Sequence, residues 1–308
     1  LKSAYPVIFI VGPTCTGKSE ISFLLAQKID AEIIYCDSVV VYKEVDILSA
    51  KPSLEYRAAI PHHMIDRLSV SDEYNVSMYS QDVQRTIEDI RRREKNVIIT
   101  GGSGMYMKAL LDGIFEGVEK DPELRDKIEA RIAEKGLQSL YQRLKEVDPG
   151  AAERISGNDK KRIVRALEVY ELTGSPISQL RKQSEGIMRQ YPYRLFGIMA
   201  DRGVLYQRID RRAKKMFASG AVDEVRKLLS LPLSVTAAGI LGVKEIKRYS
   251  NGECDLNEAE ALLAKNTRNY AKRQMTWFRK EKRIEWITAT DASAKTIVEK
   301  IYKLVSRS

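Results

Sequence analysis

The stretch VIFIVGPTCTGKSE, residues 7–20, restricts this chain more than any other. Five apolar residues, Val7–Val11, run straight into Gly12-Pro13-Thr14-Cys15-Thr16-Gly17-Lys18-Ser19, and a helical pattern follows. That spacing is G-x-x-x-x-G-K-[ST], the pattern of a P-loop between a buried parallel strand and a helix. The glycines let backbone N–H groups wrap an anion, Lys18 adds a point charge, and Ser19 offers a hydroxyl to Mg²⁺. The helix N-terminus contributes its dipole. A plain glycine-rich strand–helix turn does not account for Lys18-Ser19 at this spacing.

The first hundred residues repeat the theme. Short apolar runs at Val7–Val11, Glu32–Tyr35 and Val97–Thr100 alternate with helical periodicity after Ser19 and over Val76–Arg93. This predicts an α/β fold with a P-loop NTPase-like parallel sheet. Ligands of such sheets bind at the carboxyl ends of the strands. Three polar signals fall at such ends: Gly12–Ser19, Asp37-Ser38 and Gly101-Gly102-Ser103. Asp37 could hold Mg²⁺ or take a proton from an incoming nucleophile; Asp-Ser also suits a helix N-cap.

Between about Asp121 and Gln190 the periodicity becomes purely helical. Leu124, Ile128 and Ile132, then Leu137, Leu140 and Leu144, then Ile163, Leu167 and Tyr170, recur at helical spacing. Leu195–Met199 then reads as a strand, so the helical block is an insertion. The expected division is 1–118 for the first part of the core, 119–190 for the inserted subdomain and 191–308 for the second part.

A net charge of +10 and a pI near 9.3 direct attention to a polyanionic partner, nucleic acid before a membrane surface. Lys161 and Arg165 lie at i and i+4 with Arg162 beside them. Lys265, Arg268, Lys272 and Arg279 share a face next to an apolar stripe of Ala271, Met275 and Phe278. Basic groups near Tyr270 and Trp277 suit an RNA backbone and stacked bases, although the aromatics would equally serve a core. No run approaches the ~20 apolar residues of a spanning helix. Cys15, Cys36 and Cys254 are too scattered for a disulfide framework or zinc cluster. With no signal-peptide layout ahead of Gly12, a cytoplasmic location is expected. His62 and His63 are adjacent, so on a strand they point to opposite faces.

Taken in order, GPTCTGKS, YCDSVVVYKEVDI, AKPS, PHHMID, TGGSGMYMKALLDG, NDKKRIVRALEVYELTG and NTRNYAKRQMTWFR resemble the bacterial tRNA dimethylallyltransferases, from about residue 6 to residue 287. The resemblance implies transfer of the dimethylallyl group of dimethylallyl diphosphate to N6 of adenosine-37 in tRNA, with Mg²⁺, by a chain expected to be monomeric. It implies that Gly12–Ser19 holds a prenyl diphosphate and not ATP, that Asp37 is the general base, and that Ser103 stands where the family usually has threonine. Arg208 matches an arginine aimed at the diphosphate. Asp37-Ser38-Val39-Val40, Ser103 and Lys161-Arg162-Ile163-Val164-Arg165 match segments that contact tRNA. Three positions depart from the family: Val40 for glutamine, Leu48-Ser49 for glycine-threonine, and Leu241-Gly242-Val243 for isoleucine-glycine-tyrosine. Other enzymes sharing the loop are a small-molecule P-loop kinase and a prenyltransferase acting on free adenine nucleotides.

Overall fold

The computed structural model describes residues 5–114, 121–182 and 184–306. It divides into two compact units, one of Leu1–Met107 with Gln190–Ser308 and one of Lys108–Arg189. The division expected from sequence at 118/119 lies outside the described residues.

In the first unit β1 (Val7–Val11) leads to α1 (Lys18–Ile29) and β2 (Ala31–Cys36). Then come α2 (Leu54–Ala59), β3 (His62–His63), α3 (Val76–Arg92), β4 (Asn96–Gly101) and α4 (Gly104–Asp112), within which the division after Met107 falls. The second unit holds α5 (Pro122–Lys135), α6 (Leu137–Val147), α7 (Pro149–Ala152), α8 (Lys160–Thr173) and α9 (Ile177–Lys182). The chain returns with β5 (Tyr193–Met199), α10 (Arg202–Ala218), α11 (Ala221–Leu229), α12 (Val235–Ala238), α13 (Val243–Ser250), α14 (Leu256–Phe278), β6 (Glu285–Thr288) and α15 (Ala294–Val305).

The six strands form one parallel sheet in the order β3-β2-β4-β1-β5-β6. Every residue of β1, β2 and β4 is buried, as expected of parallel strands covered on both faces. Because β1 sits between β4 and β5, the loop after it emerges at the middle of the carboxyl edge. The loops after β2 and β4 lie one or two strands away. Ser103 N–H donates to Cys36 O at 3.1 Å, closing the β4 loop onto the end of β2.

On β3 the two histidines diverge. His62 Nδ1 meets Ile60 O at 2.7 Å, whereas His63 Nε2 meets Glu32 Oε2 at 2.6 Å.

The second unit is built around the leucine and isoleucine rows seen in the sequence. Ile128, Leu140, Leu144, Ile163 and Leu167 share a core, with Leu124, Ile132, Leu137 and Tyr170 packed against it. Asp121 caps α5, Asp159 caps α8, and Gly174 ends α8 in the left-handed region. The carboxylate of Glu168, fully buried, binds Arg125 at 2.7 Å and Arg165 at 2.7 Å, tying α5 to α8.

Candidate active site

The turn between β1 and α1 has the conformation its sequence promises. Gly12 sits at φ +139°, and a Cβ there would lie 2.3 Å from Ile198 O, so only glycine lets the loop pass β5. Gly17 is left-handed at the helix start. Cys15 is a non-glycine residue at φ +64°, a conformation that costs free energy and clusters at functional turns. Thr16 Oγ1 donates to Pro13 O at 2.9 Å and Lys18 Nζ to the same oxygen at 2.6 Å, folding the loop on itself. Burial pulls Lys18 down to about 8, against the influence of Cys15 and Asp37, which favour its charge.

Asp37 follows β2 directly. Its Oδ1 accepts the Val39 N–H at 2.9 Å, which fixes the carboxylate orientation. Burial raises its pKa above the ordinary aspartate value, opposed by the Val39 N–H, Lys18 and Arg212. A carboxylate beside two cations yet more basic than usual is suited to accepting a proton.

Two later elements complete the loop, and neither was legible in the sequence. Arg212 on α10 donates from Nη1 to Thr14 Oγ1 at 3.0 Å. Gln274 on α14, buried, accepts the Thr14 N–H at 2.9 Å through Oε1 and donates from Nε2 to Gly102 O at 3.0 Å. One amide thus joins the loop after β1 to the loop after β4. The apolar stripe of α14 runs through Ala271, Gln274 and Phe278, with Met275 only half-buried; a polar amide in register with core positions was the available signal. Arg208, one turn before Arg212, lines the same cleft and donates from Nη2 to Ala289 O at 3.1 Å.

The cleft measures about 820 Å³. Lys18, Ser19, Asp37, Arg208 and Arg212 are among its polar lining, and Val40, Leu48, Ile209, Met216, Leu241 and Leu263 among its apolar lining. Ser38 and Val39 lie on its wall. A neighbouring cavity of about 460 Å³ shares Ser38, Gly102, Tyr270, Arg273 and Gln274 with it and adds Ser103, Tyr74, Tyr106 and Trp277. Val40 is buried, at 3 % exposure, within an apolar wall.

On α8, Lys161 and Arg162 are exposed. Ile163 and Val164 turn into the core of their unit, so their side chains are not presented to a partner, and Arg165 is bound to buried Glu168. On α14, Lys265, Lys272 and Arg279 are exposed, while Arg268 is half-buried and paired with Asp210.

A phosphate-loop turn at the centre of a parallel sheet, sharing one cleft with a raised carboxylate and aliphatic side chains, is the arrangement of an α/β enzyme with a P-loop-like core. The IPP transferase family model matches residues 40–281. The tRNA dimethylallyltransferase of Carboxydothermus hydrogenoformans is 43 % identical over 297 residues, covering 96 % of both chains. That of Geobacter metallireducens is 41 % identical over 283 residues, 91 % of this chain and 92 % of the relative. Among solved structures, the tRNA isopentenylpyrophosphate transferase of Bacillus halodurans superposes with a TM-score of 0.72 at 33 % identity, covering 97 % of this chain and 95 % of that one. A eukaryotic dimethylallyltransferase acting on tRNA gives a TM-score of 0.77 at 28 % identity over 92 % and 74 % of the two chains. The chain belongs to the IPP transferase family and is a prenyl-transferring enzyme.

Proposed function

We propose that this enzyme transfers the dimethylallyl group of dimethylallyl diphosphate to N6 of adenosine-37 in tRNA. The observation that carries the reading is a single cleft lined both by anion-binding groups with a basic carboxylate and by aliphatic side chains. In the reaction the allylic C1–O bond breaks as the C1–N6 bond forms. Diphosphate leaves with the bonding pair, and the N6 proton passes to Asp37. Negative charge grows on the departing diphosphate, where the loop N–H groups, Lys18 and Arg212 stabilise it. Arg208 lines the same cleft. The adenine must leave its stack to reach a carboxylate at this depth.

Mg²⁺ fits this site through Ser19, an exposed residue in the first turn of α1 whose side chain reaches Tyr35. Among the described residues no group of three His, Cys, Asp or Glu gathers, so the ion would be held chiefly by diphosphate oxygens, as Mg²⁺ in phosphate sites usually is. Bound there, it would neutralise charge on the leaving group.

Exposed Lys161 and Arg162, with the cations of α14, support tRNA as the acceptor over a free nucleotide. No helix among the described residues is long and apolar enough to cross a membrane. The test is a competition: incubate the protein as a monomer with dimethylallyl diphosphate, ATP, AMP and unmodified tRNA, then analyse nucleosides by mass spectrometry. A prenylated adenosine at position 37 is expected. Prenylated AMP, or phosphoryl transfer from ATP, would replace the reading with one of the other two enzymes.

A further inference from the structure

One side chain gathers three consecutive amides of the loop after β2. The N–H groups of Asp46, Ile47 and Leu48 donate in succession to the carboxylate of Glu224 on α11, at 2.8, 2.7 and 3.0 Å. Consecutive amides converging on one anion make a nest, and each bond is charge-assisted and correspondingly strong. The held segment reaches the active site, because Leu48, Ser49 and Ala50 all line the cleft. Leu48 also has little freedom in one direction. It packs so closely on Gly242, itself at φ +105°, that a Cβ on Gly242 would sit 2.4 Å from Leu48 Cδ2.

Helix α10 relates the phosphate loop to the aliphatic wall that Leu48 helps to line. Arg212 touches the phosphate loop at Thr14. Met216, which lines the same cleft with Leu48, Leu241 and Leu263, is four residues further on, ~6 Å along the helix axis. An allyl chain leaving the diphosphate cradle in that direction therefore meets the aliphatic wall after about one helical turn.

We propose that Leu48 is the stop that limits the donor to a five-carbon allyl chain, and that Glu224 is the positioning residue that holds the stop in place. This rests on the prenyl diphosphate reading above. Shortening Leu48 frees space for a ten-carbon chain. Glu224→Gln keeps the shape but turns an NH₂ toward amides that a carboxylate oxygen had accepted, which loosens the loop.

The experiment compares dimethylallyl and geranyl diphosphate as donors to tRNA, reading kcat/KM for each from the modified nucleoside. Hydrophobic pockets discriminate roughly 10–200-fold per methylene, so Leu48→Ala is expected to raise the geranyl-to-dimethylallyl ratio at least about tenfold. Glu224→Gln should move the ratio in the same direction. If Leu48→Ala fails to fold, Leu48→Val, one methylene smaller, carries the same test. An unchanged ratio in a folded Leu48 variant overturns the stop. A Glu224→Gln effect confined to melting temperature, with the ratio fixed, overturns its positioning role. Failure of the wild type to transfer either group to tRNA would instead remove the reading on which the inference stands.

Discussion

Replacing Gln274 by leucine tests how the phosphate loop is held. The side chains are similar in size, so the main loss is hydrogen bonding: the acceptor for Thr14 N–H at 2.9 Å and the donor to Gly102 O at 3.0 Å. Leaving a buried polar group unpaired costs about 1–3 kcal/mol. Gly102 is buried and Thr14 half-exposed, and both line the cleft, where water can make good part of the loss. The expected destabilisation is therefore ~2–4 kcal/mol, short of two full penalties. Thr14 also lies in the loop proposed to hold diphosphate, so KM for dimethylallyl diphosphate should rise more than kcat falls. Urea unfolding gives the first quantity and steady-state kinetics with saturating tRNA the second. A loss of under ~0.5 kcal/mol, the range of ordinary surface substitutions, together with an unchanged KM, would show that the amide bridge holds nothing.

Three further outcomes are expected. Asp37→Ala should cut turnover by roughly 10²–10⁴-fold with tRNA affinity near wild type, and normal turnover would place the base elsewhere. The pH profile of kcat/KM for the diphosphate should have two limbs. Asp37 must be ionised, so activity is lost as pH falls through its raised pKa, above the usual aspartate range. Lys18 must be charged, so activity also falls as pH rises through about 8; a Lys18→Arg variant that keeps the alkaline limb there would reassign it. Neutralising Lys161 and Arg162 together should lower the log–log salt slope of tRNA binding by about 1.4–1.8, while an unchanged slope would return them to solvated surface. Arg165 is left out because it is one of the two arginine partners of buried Glu168, so removing it would also perturb the core of the unit.

The sequence was most readable where burial is uniform. The strands β1, β2, β4 and β5 are apolar runs with polar loops behind them, and the segment beginning at Ser19 announces its own conformation. The short edge strands carry no such pattern: β3 is two half-buried histidines, and only Ile287 of β6 is buried. In the site, residues within a motif were legible, since Gly12–Ser19 and Asp37 depend on local spacing. Gln274 and Arg212 were not, because each acts on Thr14 from 260 and 198 residues away. Glu224 likewise looks like an ordinary exposed-face carboxylate until the fold brings it to Leu48, 176 residues earlier. Val40 stood out as a departure from the family pattern, but only the fold shows that its side chain is buried in the wall of the cleft.

The span between Thr14 and its partners bears on how the protein is made. At ~5–20 residues per second of synthesis, β5 follows β1 out of the ribosome after on the order of ten to forty seconds, and α14 later still. Through that interval the nascent chain carries the whole glycine-lysine signature without the arginine and the amide that finish it. The loop after β1 also lacks the β5 backbone against which Gly12 is fitted. A polypeptide halted before α14 would therefore display the motif with Thr14 N–H and Gly102 O still unpaired. The hydrogen bonds that finish the loop after β1 form only once α14 has been made.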